Sequence, residues 1–256
     1  YLQDLQQHKL IKGLGFAIFI LLVVLRFQAV RELSVLADIA RKHSASQIWP
    51  TLRAMLLTAV IAAPLPMLLW FVGWRLGEVE TNNNFSNALA ETLKRIGLIF
   101  GMIEFFRQVC RRHGLLDAHF NGPNVMSARI RHKMYEMIVI LLPIFFVVTF
   151  LNELTTDLDR LPLERIFFAV GMVLTGIFAH RLLNPRGSLM REVFLQKNSA
   201  PISKTRWIWY PLATVFPIVL AIMAWIGYYY TASQLAWRMS ETTIHICVIL
   251  LIWGIA

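Results

Sequence analysis

The sequence predicts an all-α, polytopic membrane protein of about seven transmembrane helices with interfacial helices between them. Three observations carry that expectation. From Trp207 to Trp237 the chain reads WIWYPLATVFPIVLAIMAWIGYYYTASQLAW, without one Asp, Glu, Lys, Arg or His. At about 1.5 Å of rise per residue, a helix of that length exceeds a bilayer core of about 30 Å. Arg206 and Arg238 close the run, and Trp and Tyr residues gather at both its ends, where amphipathic rings favour the headgroup layer. Second, 57% of the 256 residues are hydrophobic and only 16% are charged, a balance outside the range of soluble globular domains. Third, the cations fall in alternate loops between the apolar runs, as they do when a chain crosses a membrane repeatedly.

Taken in order, the first span is expected at about 13–30: GLGFAIFILLVVL is short, but Lys9, Lys12, Arg26 and Arg31 can snorkel at its ends. Residues Arg31 to Trp49 place Leu33, Leu36, Ile39 and Ala40 on one helical face opposite charged residues, which reads as an interfacial helix running into a Ser44–Ser46 loop. The second span, 54–74, is uncharged between Arg53 and Arg75. Pro64 and Pro66 near its middle each remove a backbone donor and crowd the preceding turn, so a kink is expected there. A polar, Asn-rich loop follows, with a helix opening near Ser86 or Asn87.

The third span, 91–110, is the least apolar. Glu104 and Arg107 interrupt it at i, i+3, a spacing that pairs them on one helical face within the membrane. After it come Arg111 and Arg112, a turn-rich loop, and the basic helical stretch MSARIRHKMYE. The fourth span, 136–152, contains Pro143, and the fifth, 165–182, contains Gly171 and Gly176, where small residues permit close helix approach. The long uncharged run supplies the sixth span, 208–231, with Pro211 and Pro217 inside it. A short RMSE link leads to the seventh, 242–256. The five prolines mark bent helices facing lipid, a shape that couples to bilayer tension if stretching favours the state of larger in-plane area.

With seven crossings, seventeen of the 25 Lys and Arg residues fall in one set of alternating loops, which orients the N-terminus outside and the end of the seventh span in the cytoplasm. Omitting the third span erodes that bias. The inner belt, with Arg111, Arg112, Arg129, Arg131 and Lys133 at its centre, attracts anionic headgroups at on the order of 1 kcal/mol per cation; setting topology explains the same residues equally well. This also accounts for the net charge of +10 without nucleic acid as a partner.

Catalytic signals are sparse. Asp117 and His119 lie together in a loop, but no serine-nucleophile motif, phosphate-binding glycine loop, HExxH pattern or paired carboxylates accompany them. Cys110 and Cys247 have no partners at metal-ligand spacing. No catalytic residue, metal or cofactor is assigned. From the residues alone, a polytopic lipid-handling enzyme or transporter using Asp117 and His119 stands as the alternative to a non-enzymatic membrane protein.

The segments LLNPRGSLMREVF and TRWIWYPLATVFPIVLAIMAWIGYYYTASQL, with AHFNGPN before the basic helix and MLLWFVGWRL in the second span, carry a resemblance. They resemble the inner-membrane domain of the large MscS-like mechanosensitive channels of Gram-negative bacteria, the group of the miniconductance and potassium-dependent channels. The most specific part is Gly227, Tyr228, Tyr229, Tyr230 and Thr231 with Pro217 upstream. The resemblance implies a homoheptamer in the bacterial inner membrane, opening on stretch to release solutes during hypo-osmotic shock. It further implies that residues 1–256 are the peripheral tension-sensing helices of a longer chain. The periplasmic N-terminal region and the C-terminal pore and vestibule would lie outside them. The family's glycine- and alanine-rich pore helix does not occur here, so ions would permeate elsewhere and no pore-lining residue is carried over.

Overall fold

The computed structural model describes residues 15, 17–35, 48–78, 84–111, 124–154, 162–184 and 206–255. Among them every regular element is an α-helix, and the contacts divide the chain into two units, Tyr1–Asn121 and Gly122–Ala256. The expected interfacial helix beyond residue 35, the Asn-rich loop, the Asp117–His119 loop, most of the acidic connector and the polar segment before Arg206 lie outside the described residues.

In the first unit, α1 (17–35) is followed by α2 (Ile48–Ala62), α3 (Pro64–Gly77) and α4 (Asn84–Val109). An exposed ion pair of 3.0 Å, Arg53 to Glu32, connects α2 to α1. The expected kink is a break between two helices, with α2 and α3 bent by 53° at Ala63. Proline supplies no N–H, so Pro64 and Pro66 leave the carbonyls of Val60 and Ala62 without their helical donors. Ala63 itself stays helical, at φ −65° and ψ −36°, and bonds continue on either side, from Ala63 N to Ala59 O and from Met67 N to Ala63 O, both 2.9 Å. The bend therefore comes from missing donors and ring crowding, without a left-handed residue.

Helix α4 packs most extensively along α3 and also touches α2. Glycines set that closeness. A methyl placed on Gly73 would lie 2.7 Å from the Ala90 carbonyl oxygen of α4, and one on Gly97 would lie 3.1 Å from the Pro66 carbonyl oxygen of α3. Gly73 and Gly77 are spaced four apart on α3, as are Gly97 and Gly101 on α4, the pattern that lets membrane helices approach backbone to backbone.

In the second unit, α5 (Asn124–Leu154), α6 (Pro162–Leu183), α7 (Arg206–Ile226) and α8 (Tyr229–Ile255) pack in chain order, α5 on α6, α6 on α7 and α7 on α8. Their core is small: Val148 of α5, Phe168 and Met172 of α6, Leu220, Ala221 and Ala224 of α7, and Tyr229 and Ala232 of α8. Gly171 faces Ile144 and Phe145 of α5, while Gly176 admits Thr214 and Ile218 of α7. The outward faces are apolar too, with Val139, Ile166, Val173, Leu212, Ile222 and Trp225 all exposed. Only 17–28% of each span-forming window in this unit is buried. Helices apolar on both inner and outer faces require a hydrocarbon solvent.

Three helices are long and apolar enough to cross a membrane, Ala128–Leu154, Pro162–Leu183 and Trp209–Ile226, and the bent α2–α3 pair raises the number to four. The all-α membrane class stands. By length and composition these described helices account for three or four of the seven expected crossings, and in α1 and α4 charged residues, among them Arg26 and Glu104, interrupt the apolar run.

Boundaries differ from expectation in three places. The basic stretch and the fourth span form one 31-residue helix, α5, because a change from charged to apolar side chains does not interrupt backbone bonding. The RMSE segment is likewise the interior of α8, not a link. The long uncharged run is instead divided at Gly227, so α7 ends at Ile226 rather than 231. Gly227 has φ +115°, and the Tyr228 and Gly227 N–H groups turn back to the carbonyls of Met223 (2.9 Å) and Ala224 (3.3 Å). This is the Schellman closure of a helix. Nothing lies within 4 Å of the position a Cβ would take there, so glycine is required by backbone conformation and not by space.

Candidate functional site

Two helix breaks, a buried ion pair and a cationic end are the features that shape and charge offer for function. The prolines fall into two groups. Pro64, Pro66 and Pro217 are buried, whereas Pro143 and Pro211 are exposed. The helices that carry the buried prolines still expose apolar side chains beside them, Leu65 and Met67 on α3 and Leu212 and Ile218 on α7. Pro66 turns inward because Gly101 leaves room, its Cβ lying only 3.3 Å from where a Gly101 methyl would sit.

Within GYYYT, side chains alternate sharply. Tyr228 and Tyr230 are 63% and 60% exposed, while Tyr229 is 3% exposed and enters the core. Its hydroxyl donates to Glu164 Oε1 of α6, and its ring meets Phe168 edge-on at 5.3 Å. Thr231 is exposed.

Glu104 is 6% exposed, and its charge is answered within its own helix. Arg107 donates through Nε to Oε2 and through Nη2 to Oε1, both at 2.6 Å, and Gln108 Nε2 donates to Oε1 at 2.6 Å. This two-pronged arrangement is the strongest geometry available to a guanidinium and a carboxylate, and it presents an apolar environment with no net charge. Chemically it is a structural neutralisation, with both carboxylate oxygens occupied.

Of the cationic candidates, Arg129 is exposed, Arg111, Arg131 and Lys133 are half-buried, and Arg112 lies outside the described residues. Lys133 Nζ is 2.7 Å from Glu136 Oε2, and His132 Nε2 is 3.3 Å from Oε1 of the same carboxylate. Arg181, at the end of α6, also acts electrostatically on Glu136. Tyr210 Oη, near the start of α7, hydrogen-bonds His180 Nδ1 at 2.6 Å. The start of α5, the end of α6 and the start of α7 thus share one cationic end of this unit, and Glu153 and Glu164 belong to the opposite helix ends. Asp117 and His119 are outside the described residues, and among those residues no group of three or more His, Cys, Asp or Glu side chains is arranged to hold a metal ion.

Residues 10–256 match the family described as "Mechanosensitive ion channel inner membrane domain 1". The chain belongs to this family. Mechanosensitive channel MscK of Escherichia coli (strain K12) is 25% identical over 207 residues, which cover 80% of this chain and 17% of that protein. The chain therefore spans about one sixth of the length of the curated relative it matches. No solved structure matches it. The family is one of channels and not of enzymes, and with the apolar helices the likeness makes this mechanosensitive-channel domain a bacterial inner-membrane protein in a lipid environment.

Two features of the domain were not anticipated from sequence. The paired glycines of α3 and α4 were visible as G-x-x-x-G spacing, in GWRLG at 73–77 and GLIFG at 97–101. The Glu164–Tyr229 contact had no local signal, because its partners are 65 residues apart.

Proposed function

We propose that these helices are the peripheral, tension-sensing part of a mechanosensitive channel that opens on membrane stretch and releases solutes during hypo-osmotic shock. Family membership across residues 10–256 carries the reading. The bent α2–α3 pair and the weakly covered apolar helices of the second unit supply a physical basis, because a tilted or broken helix changes its in-plane area as a bilayer thins. The protein acts without catalysis, as part of a homo-oligomer, a heptamer by family likeness, and ions pass through a pore outside these residues. With all seven segments crossing in the assembled protein, the N-terminus is periplasmic and the end of α8 cytoplasmic, following the cation asymmetry. Arg111, Arg112, Arg129, Arg131 and Lys133 then meet anionic headgroups of the inner leaflet.

The reading is tested by survival of bacteria lacking other stretch-activated channels after a sudden fall in external osmolarity. Expression of the full-length parent should raise survival, and the parent without residues 10–256 should return it to the level of cells with no channel. Equal protection by both forms would remove these helices from the response.

A further inference from the structure

We propose that the Tyr229–Glu164 hydrogen bond is a latch that holds the start of α8 against the start of α6 in an unstretched bilayer and releases as the bilayer thins. The inference deepens the tension-sensing reading and rests on it. Its basis is a contrast between two buried carboxylates. Glu104 receives three donors from its own helix, so no movement between helices disturbs it. Glu164 is 1% exposed, and its hydroxyl donor comes from a different helix. The other oxygen, Oε2, is buried with no hydrogen-bond partner.

A buried carboxyl group satisfied on one side only gives up little when it separates from its donor and reaches water, because solvent then serves both oxygens. Such a bond holds a position and lets go of it readily. Its location gives the release a consequence. Gly227 ends the hydrogen bonding of α7, and the first bond of the next helix runs from Ala232 N to Tyr228 O at 3.0 Å. Helical hydrogen bonding is therefore not continuous from α7 into α8. The direction of α8 is held by side chains, among them the Tyr229 hydroxyl on Glu164, its ring on Phe168, and Ala232 in the core. Loss of the hydroxyl contact removes a directional member of that set, while the ring and Ala232 contacts are apolar and less specific. Gly227, with open space around it, accommodates the resulting rotation.

The test reads distance without requiring conduction. Spin labels are placed at Leu163 and Thr231, both exposed and flanking the pair, in the full-length protein with its other cysteines replaced. The protein is reconstituted in nanodiscs of dioleoyl- or dilauroyl-phosphatidylcholine, thick and thin bilayers respectively, and dipolar electron resonance gives the distance distribution. The latch predicts one narrow, short distribution for the unsubstituted Tyr229 and Glu164 in the thick bilayer, and a shift to a longer, broader one in the thin bilayer. Tyr229→Phe keeps the ring and removes the hydroxyl, so it should show the longer distribution already in the thick bilayer. Glu164→Gln keeps an acceptor oxygen and should stay narrow there. A Tyr229→Phe distribution identical to that of the parent in the thick bilayer, or no response of the parent to the thin one, overturns the latch. A channel that opens under suction while these labels do not move loses the latch alone. One that ignores suction loses the tension-sensing reading.

Discussion

Gly73→Ala should destabilise the first unit by about 1–3 kcal/mol, the range for forcing a methyl group into a filled contact. The added carbon would sit 2.7 Å from the Ala90 carbonyl oxygen, 2.9 Å from Leu93 Cβ and 3.0 Å from Lys94 N. Two of these atoms are backbone of α4, so relief requires that the helices separate. Alanine's better helix propensity, worth about 0.5–1 kcal/mol, offsets only part of this. Gly77→Ala is the control. Its methyl would meet Lys94 Nζ at 3.5 Å and Ala90 Cβ at 3.6 Å, which is ordinary contact. Gly77 is the last residue of α3, where little of the interior propensity gain applies, so that substitution should change stability by no more than about 0.5 kcal/mol. Denaturant titration of the detergent-solubilised protein, followed by tryptophan fluorescence, compares the two. Equal effects of Gly73→Ala and Gly77→Ala would contradict the close α3–α4 crossing.

Arg107→Leu should be more damaging, at about 3–5 kcal/mol, because it leaves the buried Glu104 carboxylate with only the Gln108 amide as a donor. Removing both charges, in Glu104→Gln with Arg107→Leu, should restore most of the loss, since no uncompensated charge then remains in an apolar setting. The yield of monodisperse protein on size exclusion, together with the same titration, reads the cycle. If the double substitution is as unstable as Arg107→Leu alone, the pair does more than neutralise a buried charge.

These two sites differ in how far the sequence revealed them. The i, i+3 spacing of Glu104 and Arg107 is a local property, and a helix brings such residues together whatever surrounds it. The break at Pro64 and Pro66 is local for the same reason, because it follows from a missing donor. The uncharged run at Trp207–Trp237 likewise announced a membrane protein, yet it concealed the end of α7. Hydropathy is uniform across Gly227, and the left-handed backbone there is a choice among conformations that composition does not record. At Arg129–Glu136 the opposite holds: the basic stretch is helical as expected, and the strong change in polarity after it marks no boundary in the helix. Which way a proline faces was not legible either. Pro66 is inside because Gly101 of another helix has no side chain, and that depends on packing between segments far apart in sequence. The Glu164–Tyr229 contact belongs to the same class.

The central claim, that these helices convert membrane stretch into gating, is tested most directly by excised-patch recording from the full-length parent under graded suction, beside the parent lacking residues 10–256 and shown to assemble. The account predicts openings whose probability rises with suction in the parent, and a loss or clear displacement of that dependence when the helices are removed. The same suction dependence in both proteins would contradict it.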